Sequence, residues 1–187
     1  GHVYLKENNA IGTFTSFDRT MPLYVCFVYP WYVGGLGYLA YRLYERGVTV
    51  RHLLVLWAVD ATVDVFLESP GILTGTFLYY GDHPFNPWGF PFWWAMVNPI
   101  MPMAAGAMIY KMRPHLKGWR LAAVIPMIPM ADGLANGATA WPMWTVLNLN
   151  DPPMWAIYMG GFATLGLALL AVRIIGEIVG RPAEEVP

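Results

Sequence analysis

Asp60, Asp64 and Glu68 recur at four-residue spacing inside the apolar stretch HLLVLWAVDATVDVFLE, residues 52–68. On a helix each step of four rotates the side chain by about 40°, so the three carboxyls share one face. Farther along, Asp132 and Asn136 interrupt a second apolar stretch, and Asn98 a third. Carboxyls in such surroundings are expensive and usually functional. Desolvation and neighbouring like charge both favour the neutral acid, the form a general acid must hold. The chemistry these residues suit is proton transfer, with Asp64 as donor and Asp132 as base, or the reverse, and Asp60 and Glu68 tuning them.

The elements that must position these groups are membrane spans. The chain is 57% hydrophobic, 16% aromatic and 12% charged, against about 25% charged for a soluble domain. We expect an all-α integral membrane protein, a single domain over residues 1–187 with about five transmembrane helices. The spans are expected at residues 21–41, 52–68, 92–110, 121–140 and 154–172. Ser69, Pro70 and Gly71 should close the acidic helix. Residues 70–91, rich in Pro, Gly and aromatics, read as an interfacial or re-entrant lid, allowed at membrane depth only where it lines a cavity. Residues 1–20 read as an aqueous loop. All Lys and Arg except Lys6 and Arg19 fall in two short loops and the C-terminal tail. By the positive-inside tendency those loops and the C-terminus are cytoplasmic. The N-terminal segment then lies outside, so the native protein is expected to have six or more spans, with at least one upstream of Gly1.

A rise of about 1.5 Å per residue puts Asp64, Asn98 and Tyr29 about 18 Å from the cytoplasmic ends of their spans, and Asp132 about 16 Å. Four spans thus bring a polar group to one level. The expectation is a buried pocket open to the outer side, with Asn98, Asn136, Tyr29, Tyr79, Tyr80, Trp93 and Trp94 binding substrate and Asp82 and His83 helping to close it. Intramembrane Asn and Asp also serve as fasteners between helices. That reading predicts saturated hydrogen bonds and no cavity. The carboxyls cannot be explained as ion pairs, because no Lys or Arg shares their depth.

No metal and no cofactor is expected. Asp82–His83 lacks a second histidine at ligand spacing. His52 and His115, conceivable haem ligands, read as surface residues of the basic loops. DATVD resembles the magnesium-holding DxxxD of prenyl-transferring enzymes, but no second acidic motif or basic phosphate clamp accompanies it. The methionines of residues 96–130 and the lone Cys26 read as packing. A net charge of −1 gives no footprint for nucleic acid. The expected partners are a hydrophobic small-molecule substrate and membrane lipid, with a homo-oligomer or a larger membrane complex as further associations.

The segments YVCFVYPWYVGGLGYLAYRLYERG and FLESPGILTGTFLYYGDHPFNPWGFPFWWAMVNP together resemble the actinobacterial membrane proteins grouped with the avermectin-type spiroketal cyclases. The likeness covers residues 21–112 and is one of layout: aromatic span, acid-bearing span, Tyr-Tyr-Gly lid, Trp-Trp span. It implies a membrane enzyme that closes an oxygenated chain into a spiroketal with loss of water, and it transfers no catalytic residue. Such closure runs through an oxocarbenium-like cation, which aromatic faces stabilise. A membrane terpenoid cyclase would use the same pocket. A small subunit or lipid-binding scaffold of a larger complex and a proton-coupled transporter are the non-enzymatic alternatives, the last without visible internal repeats.

Overall fold

A computed structural model describes residues 2–4, 12–16, 19–79 and 81–180. It is mostly helical. Helix α1 (Val25–Tyr29), a π-helical turn (Pro30–Gly35) and α2 (Leu36–Arg46) follow one another without a break. Helix α3 (Val50–Leu73) carries the acids. The break at Asn98 and Pro99 separates α4 (Phe92–Val97) from α5 (Ile100–Met112). Helix α6 (Val124–Ala135), a second π-helical turn (Asn136–Ala140) and α7 (Trp141–Leu147) precede the long α8 (Met154–Val179).

Helix α5 is the axis. Its residues from Ile100 to Ala107 are all buried, and α2, α6 and α8 pack around it. A helix apolar on every side belongs in such a place. Gly106 permits the closest approach: a Cβ there would lie 2.7 Å from Gly37 O and 2.8 Å from Tyr41 N. Above that contact the Tyr44 hydroxyl donates to Met103 O at 3.1 Å. At the ends of the two helices Arg113 Nη1 meets Glu45 Oε1 at 2.6 Å.

Helix α3 begins at Thr49, whose hydroxyl accepts from His52 N while Thr49 N donates to His52 Nδ1 at 3.2 Å. This reciprocal cap satisfies amides left free at a helix start and gives His52 a structural duty. The helix does not end at Ser69–Gly71 as its sequence suggests. Pro70 removes one amide donor but sits on the exposed side, and the Ser69 hydroxyl turns back to Val65 O at 2.6 Å. One further turn forms. The segment expected as an interfacial or re-entrant lid contains a short strand. Residues Phe77–Tyr79 form strand β4, which pairs antiparallel with β1 (His2–Tyr4), and Phe90 and Pro84 are buried. The expected aqueous loop contains that β1 strand and a hairpin of β2 (Thr13–Ser16) with β3 (Arg19–Pro22).

Gly176 of α8 lies against Val50 at the start of α3, so the C-terminal ends of α2, α5 and α8 gather with the start of α3 at one basic end. Among the described residues three helices are long and apolar enough to cross a membrane: Phe92–Met112, Gly118–Leu147 and Met154–Val179. The outward faces are apolar on these helices and on α1 and α3 as well. Phe27 on α1, Phe66 on α3, Ile125 on α6 and Phe162 on α8 are all exposed. Cys26, expected in the packing, lies on this exterior too.

Gly106→Leu is expected to separate α2 from α5 and lower stability by about 1–3 kcal/mol, whereas Gly133→Ala, where a Cβ meets nothing within 4 Å, should leave it unchanged or slightly raised. Thermal unfolding in one detergent compares the two.

Candidate functional site

The buried face of α3 runs through Leu53, Trp57, Asp60, Ala61 and Asp64, as the four-residue spacing requires. Trp57 Nε1 donates to Met96 O at 2.8 Å and fixes this face against α4. Each acid then receives a neutral donor from a different part of the chain. The Tyr32 hydroxyl, from the π-helical turn, approaches Asp60 Oδ1 at 3.4 Å. Asn98 Nδ2 donates to Asp64 Oδ2 at 2.8 Å. The Tyr79 hydroxyl from β4 and the Trp94 side chain from α4 both hydrogen-bond Glu68.

The local sequence explains why these donors arrive. Pro99 and Pro102 have no amide hydrogen, so the helix breaks at Asn98 and Met101 N takes the Asn98 carbonyl instead, at 3.1 Å. The break turns the Asn98 side chain toward α3. Gly71 has no side chain where the Phe77 ring lies, which lets β4 fold down on α3 with Tyr79 above Glu68. In the first helix Pro30 opens a π turn, a common device at functional positions, and Tyr32 faces inward while Trp31 faces outward.

Between the first helix and α3 lies a cavity of about 300 Å³. Asp64, Glu68 and Asn98 supply its polar wall, and Tyr24, Tyr29, Tyr32, Phe77, Tyr79 and Trp94 its aromatic one. Val25, Val28, Trp31, Leu67 and Met101 complete it. Asn98 Oδ1 is buried with no hydrogen-bond partner. An unsatisfied buried acceptor is uncommon and costs about 1–3 kcal/mol. A ligand that donates a hydrogen bond would relieve it.

Six of the expected site residues therefore meet here: Asp64, Glu68, Asn98, Tyr29, Tyr79 and Trp94. Asp60 sits a turn away with Tyr32 and does not line the cavity. Asp132 and Asn136 form a separate group: Asn136 Nδ2 donates to Asp132 Oδ1 at 3.1 Å, and Trp144 Nε1 to Asn136 Oδ1 at 3.3 Å. Neither belongs to the cavity wall, although Asp132 lies within electrostatic reach of Tyr29. Trp93 points away from the cavity, its Nε1 donating to His83 Nδ1 at 3.2 Å, and its ring packs edge-on against Trp144. His83 is thus a buried packing residue and Asp82 is exposed. Tyr80 lies outside the described residues. Among those described, no three His, Cys, Asp or Glu side chains gather to hold a metal ion.

Reading the sequence missed Tyr32, Tyr24, Trp31, Leu67 and Phe77. Tyr32 had a signal, since it stands three residues after Tyr29 and shares its face. Phe77 had none, being an apolar residue placed by the strand that follows the extra turn of α3.

No family model, curated protein or solved structure matches the chain. Function must be argued from the cavity itself.

Asn98→Leu strands the Asp64 carboxyl and is expected to destabilise by about 1–3 kcal/mol. The double variant Asp64→Leu with Asn98→Leu should lose less than the sum of the two single changes, measured as denaturation midpoints in detergent.

Proposed function

We propose that the chain is an integral membrane enzyme that performs acid–base cyclisation on an oxygenated, lipid-like substrate in this cavity. The observation that carries the reading is an aromatic-walled cavity lined by Asp64, Glu68 and Asn98, the last with a side-chain oxygen left without a partner. Polar groups that served only to fasten helices would be saturated and would leave no cavity.

The setting is a bundle of five spans: residues 25–46 and α3 join the three apolar helices. The length of α3, 24 residues, gives about 36 Å of rise, sufficient for a core of about 30 Å. The continuous apolar exterior of α1 and α3 suits lipid contact. The basic end is the cytoplasmic side, which puts the cavity nearer the outer leaflet.

Two carboxyls on successive turns of one helix stand about 5–6 Å apart at Cβ. Holding one proton between them, Asp64 and Glu68 supply an acid and a base within one space. Ring closure with loss of water needs both. The acid protonates a departing hydroxyl, water leaves, and an oxocarbenium-like cation forms. A second hydroxyl attacks that carbon, and the base takes its proton. Trp94, Tyr79 and Phe77 present π faces for the cation and keep bulk water away. Tyr79 and Trp94 hold Glu68 and Asn98 holds Asp64, which fixes both carboxyls toward the reacting atoms. Asp132, outside the wall, has no part in proton transfer. The layout-level resemblance to the spiroketal cyclases is in keeping with this chemistry. A cavity at the lower end of the usual range, about 300–1,000 Å³, takes the reacting segment of a long substrate, the remainder lying in lipid.

Membranes holding the protein, incubated with a lipid extract of the source organism, should form a product lighter than its precursor by one water. Asp64→Asn and Glu68→Gln are expected each to cut that turnover by about 10²–10⁴-fold, and Asp132→Asn by less than tenfold. Equal turnover in all three variants would remove the acid–base assignment.

A further inference from the structure

The cavity has a mouth, and its position is set by three side chains. Val28, Trp31 and Leu67 line the space and are also exposed on the outer surface, by 48%, 57% and 53%. They lie on the two helices that border the cavity, and their outward neighbours Phe27 and Phe66 are more exposed still and equally apolar. The opening therefore faces sideways into hydrocarbon. It also lies away from the basic end, because Val28 is near the start of the first helix and Leu67 near the end of α3.

The interior restricts what can pass. Among the described residues no Lys, Arg or His lines the cavity, while two carboxyls do. A phosphate or carboxylate head would meet like charge in a medium of low dielectric, with no cation to compensate. A hydrocarbon alone would leave Asn98 Oδ1 without a donor. Asn98 is 4% exposed, so bulk water does not serve it freely. Hydroxyl hydrogens suit both the amide oxygen and the carboxylate oxygens.

We infer that the cavity is a lateral binding site for a neutral, hydroxyl-bearing lipid that reaches it from the membrane leaflet opposite the basic loops, through the gap between Val28, Trp31 and Leu67. The inference rests on the same cavity as the proposed enzyme and names what that cavity selects. The hydroxyl head seats against Asn98 and the carboxyls, and the chain trails through the mouth into lipid. Discrimination comes from the head, because chains of equal length fill the mouth equally.

The test uses three probes with one acyl chain: monoolein, methyl oleate and oleic acid. Each is added to the purified full chain in detergent at neutral pH, and retention is read by native mass spectrometry. Monoolein should be held one per chain and at least tenfold more tightly than methyl oleate or oleate, the factor expected for one or two hydrogen bonds to buried acceptors. Val28→Trp combined with Leu67→Trp changes only half-exposed rim positions and should lower monoolein retention about tenfold or more. Equal retention of the three probes would overturn the inference, as would undiminished retention in the rim variant.

Failure here is separable from failure of the enzymatic reading. Selective monoolein retention with turnover unaffected by Asp64→Asn and Glu68→Gln would leave the lipid site standing and remove the acid–base role. Loss of turnover in those variants with head-independent retention would do the reverse.

Discussion

The fold depends on supplying neutral hydrogen-bond donors to carboxyls that, among the described residues, have no cation as a partner. Each acid on α3 commits a different element to one position: the π turn for Asp60, the broken α4–α5 helix for Asp64, and β4 with α4 for Glu68. An ion pair could be met by one flexible Lys or Arg. A neutral donor must be brought close by the backbone, and the backbone features follow from that requirement. Pro99 breaks a helix, Pro30 widens another, and Gly71 gives up its side chain so that Phe77 and Tyr79 can approach. These departures from regular helix all border the same cavity.

The same constraint separates the two polar groups. Asp64 and Glu68 share the walls of an open space with Asn98 and a set of aromatic side chains. Asp132 is satisfied within its own helix by Asn136, which Trp144 in turn satisfies. One group has an acceptor left over and the other has its side chains engaged with one another. Residue type alone would rank the two equally. The distinction lies in how many donors reach them, and that is a property of packing.

The acidic stripe was legible in the sequence because four-residue spacing is a geometric statement independent of packing. Its burial and its alignment with Asn98 and Tyr29 follow from helical rise and from the scarcity of charge. The extent of α3 was not legible, since Pro70 usually ends a helix and here the side-chain hydroxyls of Ser69 and Thr74 return to backbone carbonyls at 2.6 Å and 2.8 Å. The strand within the expected lid was hidden for a related reason: its partner is a short N-terminal segment whose polarity reads as loop. Asp132, expected at the level of Asp64, lies outside the cavity wall, because depth along a helix specifies a level and not an azimuth. Without the azimuth, a group at the right height can still face elsewhere.

Gentle extraction of the protein from its own membrane would keep whatever molecule the cavity holds. Native mass spectrometry followed by fragmentation of the released small molecule is expected to give one neutral, hydroxylated species of defined mass at one per chain. Release of only anionic phospholipids, or attachment to other membrane subunits with the cavity filled by their side chains, would contradict the account.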